Sequence, residues 1–85
     1  MPLSQAREGE QVRVKTMPSH PALRQRLTAM GIRPGVHLEV IRRGKPGGIL
    51  HLAHGVLEFM LRHDHAAQMD VHPEAESTDQ RQSET

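Results

Sequence analysis

Seven histidines are spread over 85 residues, at positions 20, 37, 51, 54, 63, 65 and 72, and there is no cysteine. Without thiolates, imidazole nitrogen and carboxylate oxygen are the donors left for zinc and its neighbours. His51 and His54 stand three apart, and Glu58 follows just beyond Gly55. A hairpin folded about a two-residue turn at 54 and 55 pairs 53 with 56, 52 with 57 and 51 with 58. That register makes His51 and Glu58 direct cross-strand neighbours, about 5 Å apart on the outer face. His51, Glu58 and His54 are therefore the candidate ligands for zinc or another divalent transition metal. Zinc is favoured over ferrous iron by the usual divalent order. A tetrahedral ion needs four donors, so His54, His20 or a second subunit has to complete the site, and a metal-dependent homodimer is the assembly this implies. Against it, isolated His/Glu neighbours are commonplace on exposed sheets, and none of the seven histidines has a closed zinc spacing. Nothing in the pattern requires a cofactor.

A second group is basic. Arg24, Arg26 and Arg33 lie on or just after a helical stretch and are the candidate partner-binding residues, because arginine is enriched at interface hot spots and engages carboxylates bidentately. An arginine offered to a GTPase can also act as a finger, but that needs a loop geometry that spacing alone does not give. Gly44-Lys45-Pro46-Gly47-Gly48 lacks the Walker spacing and opens no helix, so it reads as a hairpin loop and not as a phosphate cradle. No nucleophile–base pair and no clustered carboxylates can be placed in catalytic roles, which argues for a protein that is not an enzyme. Nucleic acid is disfavoured as a partner because the single aromatic, Phe59, falls on an inward position and leaves bases no stacking platform.

The elements that must position these groups follow from alternation and punctuation. Glu10 to Thr16 alternates Val12 and Val14 against Arg13 and Lys15, as a half-buried strand does. Pro21 suits the first turn of a helix, and Leu23, Leu27 and Met30 form one stripe over residues 21 to 30, with Arg24 and Arg26 facing away. Gly31 sits where a left-handed cap is wanted, with Ile32 positioned to fold back on the last turn. Arg33-Pro34-Gly35-Val36 has the residues of a type II turn. A second strand carries Val36, Leu38 and Val40. Ile49 to Ala53 and Val56 to Leu61 make the hairpin, with Leu50, Leu52, Leu57, Phe59 and Leu61 inward. His63 to Met69 reads as one or two helical turns, and residues 70 to 72 as a last strand returning to the first. The expected fold is mostly β: a small SH3-like five-stranded barrel, partly open, with one short helix inserted after the first strand.

Length allows one domain, with a thin core of Val, Leu, Ile and Met. Residues 73 to 85 carry four acids and one arginine, or −3, so of the total of +1 the first 72 residues hold +4. Lacking large apolar side chains, 73–85 is expected to be a disordered acidic tail and 1–72 the folded unit. No leader pattern and no bilayer-length apolar run is present, so a cytoplasmic location is expected.

The segment Leu23-Arg24-Gln25-Arg26-Leu27-Thr28-Ala29-Met30-Gly31-Ile32-Arg33-Pro34-Gly35 resembles the signature of the ferrous-iron transport protein A (FeoA) family. The flanks agree: Met1-Pro2-Leu3-Ser4, Gly9, Val40, and Leu61-Arg62 leading to Ala66. The likeness spans about residues 2 to 72. It implies a small accessory that binds and regulates the ferrous-iron transporter FeoB, a membrane protein with a GTP-binding domain, and it implies no catalytic residue. A similar motif occurs in the C-terminal SH3-like domain of iron-dependent repressors. The alternative is therefore a metal-responsive regulatory module of that type, which would expect a DNA-reading helix-turn-helix upstream.

Overall fold

The computed structural model describes residues 1–74. Five strands, β1 (Gln11–Thr16), β2 (His37–Arg43), β3 (Ile49–His54), β4 (Leu57–Arg62) and β5 (Asp70–Pro73), form one antiparallel sheet in the order β4-β3-β2-β1-β5. Helix α1 (Pro21–Ala29) is inserted after β1, and a single turn, α2 (His63–Ala66), joins β4 to β5. The expected closure into a barrel is not completed. β5 returns to β1 as anticipated, with Val14 opposite Val71, but β4 and β5 remain two separate edges. Between them lies α2, packed on β3, β4 and an N-terminal 3-10 turn at Leu3–Gln5.

Helix α1 forms where its punctuation says it should. Pro21 occupies the first position, and His20 caps the end, its Nδ1 accepting the Leu23 N–H at 3.2 Å. At the other end Gly31 has φ +87, the Gly31 N–H reaches Thr28 O at 2.9 Å, and the Ile32 N–H reaches Leu27 O at 2.9 Å. This is the Schellman arrangement, with buried Ile32 and Leu27 making its apolar contact. The next turn is type II: Gly35 has φ +96 and the Val36 N–H bonds Arg33 O at 3.2 Å. Leu23 and Leu27 then join Val12, Val14, Leu38, Val40, Leu50, Leu52 and Leu61 in one core.

Two irregularities re-aim side chains. Val40 opposes Leu52 while Arg42 opposes His51, so Ile41 is a bulge residue. Past the bulge, Arg43 falls on the core side, opposite Leu50, and its guanidinium donates to Ser4 O and Ala6 O, pinning the N-terminal turn. Ile41 and Arg42 both go to the outer face. In the β3–β4 hairpin the turn is Gly55-Val56, not His54-Gly55. Gly55 has φ +61 while no non-glycine residue among those described has positive φ, the pattern of a type II′ turn. β5 extends to Pro73, opposite Val12, and the Glu74 N–H donates to Gln11 O at 2.8 Å. Residues 75–85, where the rest of the expected tail falls, lie outside the described residues.

Candidate functional site

The hairpin register decides which groups meet on the outer face. With the turn at Gly55-Val56, His51 stands opposite Met60, and Glu58 stands opposite Ala53. The direct opposition of His51 and Glu58 expected from sequence is thus replaced by a diagonal relation, two residues along the strand. Imidazole and a long carboxylate still bridge it: His51 Nε2 lies 3.0 Å from Glu58 Oε1. Diagonal neighbours on one face stay within reach of long side chains, which explains why the pair survives the change of register. His51 is partly buried and Glu58 exposed, at 27% and 59% of side-chain surface.

His54 goes elsewhere. It shares the face of Leu50 and Leu52, and its Nδ1 meets His37 O at 3.1 Å. Its Nε2 stands 3.8 Å from where a β-carbon on Gly31 would sit, against the C-terminal cap of α1. The strand alternation that puts His51 outward turns His54 to the opposite face. His20, the other residue expected to complete a site, is engaged as the helix cap, with its ring centroid 6.4 Å from that of His65. Among the described residues no three His, Cys, Asp or Glu side chains are grouped so as to hold a metal ion. Of the expected ligands, the described structure therefore brings two together, His51 and Glu58.

Beside His51 runs an open groove of about 510 Å³ lined by Ile41, Arg42, Gly44, Ile49, His51 and Met60. Ile49 and Met60 are exposed to 52% and 63%. Part of this groove is legible in the strand alternation: residues 49 and 60 are the apolar side chains left outward once Leu50, Leu52, Phe59 and Leu61 are turned in. Ile41 joins them only through the bulge.

Arg24 and Arg26 are exposed on α1, and Arg33 is exposed in the type II turn that follows. None of the three forms an ion pair among the described residues. Arg26 lies in the last turn of α1, where a cation is favoured by the helix dipole. Elsewhere Arg13 pairs with Glu74 at 3.1 Å, and Arg62 with Asp64 at 3.2 Å. No helix among the described residues is long and apolar enough to cross a membrane.

Comparison with known proteins agrees with this architecture. No curated protein matches the sequence. Among solved structures, the FeoA protein from Chlorobium tepidum shares 28% identity, with 88% of this chain and 71% of that one covered and a TM-score of 0.82. FeoA of Stenotrophomonas maltophilia, described as a procaryotic SH3 domain protein and solved in complex with zinc, shares 24% identity over 84% of this chain and 88% of its own, with a TM-score of 0.69. A manganese-dependent transcriptional repressor has the same fold at 20% identity and a TM-score of 0.77, with 86% of this chain covering 41% of that one. The family model for the FeoA domain matches residues 1–73, which takes in every strand and both helices, and the chain belongs to the FeoA family.

Proposed function

We propose that this chain is a non-enzymatic, cytoplasmic accessory of a ferrous-iron transport system, which binds and regulates the GTP-binding membrane transporter FeoB. The observation that carries this reading is the FeoA family match across residues 1–73. The Stenotrophomonas relative is described as a candidate ferrous iron transport activating factor, in keeping with that role. Arg24, Arg26 and Arg33 are the residues to engage the partner. They are exposed on one continuous helix-and-turn segment, and bidentate guanidinium pairing suits acidic groups on the transporter. The test is titration of purified FeoB, in detergent, with the wild-type chain and with a triple Arg24→Glu, Arg26→Glu, Arg33→Glu variant. Binding weakened about tenfold or more in the variant supports the assignment, since each exposed contact contributes modestly and three are reversed. Absence of wild-type binding, or equal binding by the variant, overturns it.

A second reading rests on His51 and Glu58, hydrogen-bonded at 3.0 Å, which would open by a few tenths of an ångström to the separation of about 3.4 Å that two tetrahedral zinc bonds of about 2.0–2.2 Å set. A second molecule or solvent would supply the remaining positions. The alternative of a repressor-type regulatory module is supported by shared fold, and a chain that binds duplex DNA but not purified FeoB, when titrated with each, would favour it.

A further inference from the structure

Two strand edges are left by the open sheet, and they are not equivalent. The β5 edge is covered from within the chain: the Val71 N–H donates to Met1 O at 2.8 Å, the Leu3 N–H donates to Met69 O at 2.8 Å, and Pro2 bridges Asp70. The β4 edge has no such cover, and no backbone hydrogen bond from another element reaches its outward side among the described residues. Backbone groups on an uncovered edge form a ready template for another strand. Directly behind this edge lie the exposed apolar side chains of Met60 and Ile49.

What fits it is written in β4 itself. The outward positions along the strand are Glu58, Met60 and Arg62, an acid, an apolar centre and a base at equal spacing. Laid antiparallel against a second copy with Met60 on the two-fold axis, Glu58 falls opposite the partner's Arg62, and Arg62 opposite the partner's Glu58. The two Met60 side chains then cover each other at the axis. Directly opposed unlike charges stabilise a cross-strand pair and like charges destabilise it, so this register is self-complementary in both charge and polarity. Closed two-fold pairing of one surface with itself is also the commonest way identical chains associate. Residues 75–85 are poor competitors for the edge, because they carry no large apolar side chain to place against Met60 and Ile49.

We infer that β4 is a homodimerisation edge: two copies pair antiparallel about Met60, joining their sheets into one ten-stranded sheet without need of a metal ion. The pairing is distinct from docking to a transporter through α1; it shares Glu58 with the zinc reading but needs no metal ion, because its specificity lies in Glu58 opposed to Arg62 about Met60.

Sedimentation velocity in the presence of a chelator, carried to millimolar protein, tests it on four variants. Glu58→Arg and Arg62→Glu each set like charges against each other twice per dimer, and each should raise the dimer dissociation constant about tenfold or more. The double variant Glu58→Arg, Arg62→Glu reverses both signs and should recover dimerisation to within about threefold of wild type. Intramolecular effects predict the opposite for the double variant, which loses the His51–Glu58 and Arg62–Asp64 contacts together. Met60→Lys places two ammonium groups at the axis and should leave a folded monomer, since the side chain is mostly exposed in one copy. A wild type that stays monomeric in chelator overturns the inference. So does dimerisation of either single variant at wild-type strength, or a double variant no better than the singles. Dimers seen only with added zinc would also overturn it, in favour of a metal bridge.

Discussion

Replacing Gly35 by alanine isolates the contribution of one backbone conformation to this fold. Gly35 sits at φ +96 in the type II turn between α1 and β2, and a β-carbon built there meets nothing within 4 Å. Steric clash with the rest of the chain is therefore removed from the comparison. What remains is the cost of holding an L-residue at positive φ, about 1–2 kcal/mol. Against it stands the entropy alanine removes from the unfolded chain, about 0.4–1 kcal/mol in the stabilising direction. The net expectation is a loss of about 1 kcal/mol, which for a domain of this size lowers the melting temperature by about 4–8 °C. The turn cannot relax freely to escape this. The Gly35 N–H is bonded to Val14 O at 2.8 Å and the Val14 N–H to Val36 O at 2.9 Å, so a shift in φ is resisted by β1. Gly35→Asn should lose less than Gly35→Ala, because asparagine tolerates positive φ better than alanine does. Thermal and urea unfolding followed by far-ultraviolet circular dichroism would measure both. A Gly35→Ala protein that melts with the wild type, or an asparagine variant less stable than the alanine one, would refute the reasoning.

Two further outcomes are expected. Asp70 is held below the usual carboxylate range, first by the hydrogen bond from the Met1 amine and then by the positive charges of that amine, Lys15 and His72, with partial desolvation opposing them. A depressed folded-state value means its stabilisation is present above the unfolded value of about 3.9 and is lost as pH falls below it. Urea midpoints measured from neutral to strongly acidic pH should therefore fall less steeply for Asp70→Asn than for wild type, and parallel curves would remove Asp70 from the linkage. For the zinc reading, competition with a chromophoric chelator should show weaker zinc binding by His51→Ala than by wild type. Acidification should release the ion as imidazole is protonated. Equal affinity in the two proteins would exclude His51.

Much of the architecture was legible because it is dictated locally. Gly31 followed by Ile32 specifies a Schellman cap from two residues, and Pro34-Gly35 specifies the turn type. The alternation of Val12 with Val14 and of Leu38 with Val40 assigns inner faces from period alone. Each of these depends on neighbours a few residues away, so no knowledge of the rest of the chain is needed. The exposed arginines of α1 followed in the same way from the opposite side of the Leu23–Leu27 stripe.

The hairpin shows where that logic ends. Turns at His54-Gly55 and at Gly55-Val56 imply registers that differ by two residues, and a two-residue slip leaves every side chain on its original face. Both pair Leu50 and Leu52 with inward apolar partners, so hydrophobic pattern could not choose between them, and Gly55 is central to either turn. Only the assembled sheet decides that His51 faces Met60 and reaches Glu58 diagonally. The bulge at Ile41 and the capture of Arg43 by the carbonyls of the N-terminal turn are likewise set by contacts between distant segments. So is the failure of β4 and β5 to pair. The sequence by itself determined the helix, its caps, the turns and the faces, because those are short-range matters of φ and period. The tertiary structure decided register, edges and which polar groups meet, because those depend on how segments far apart in the chain are brought side by side.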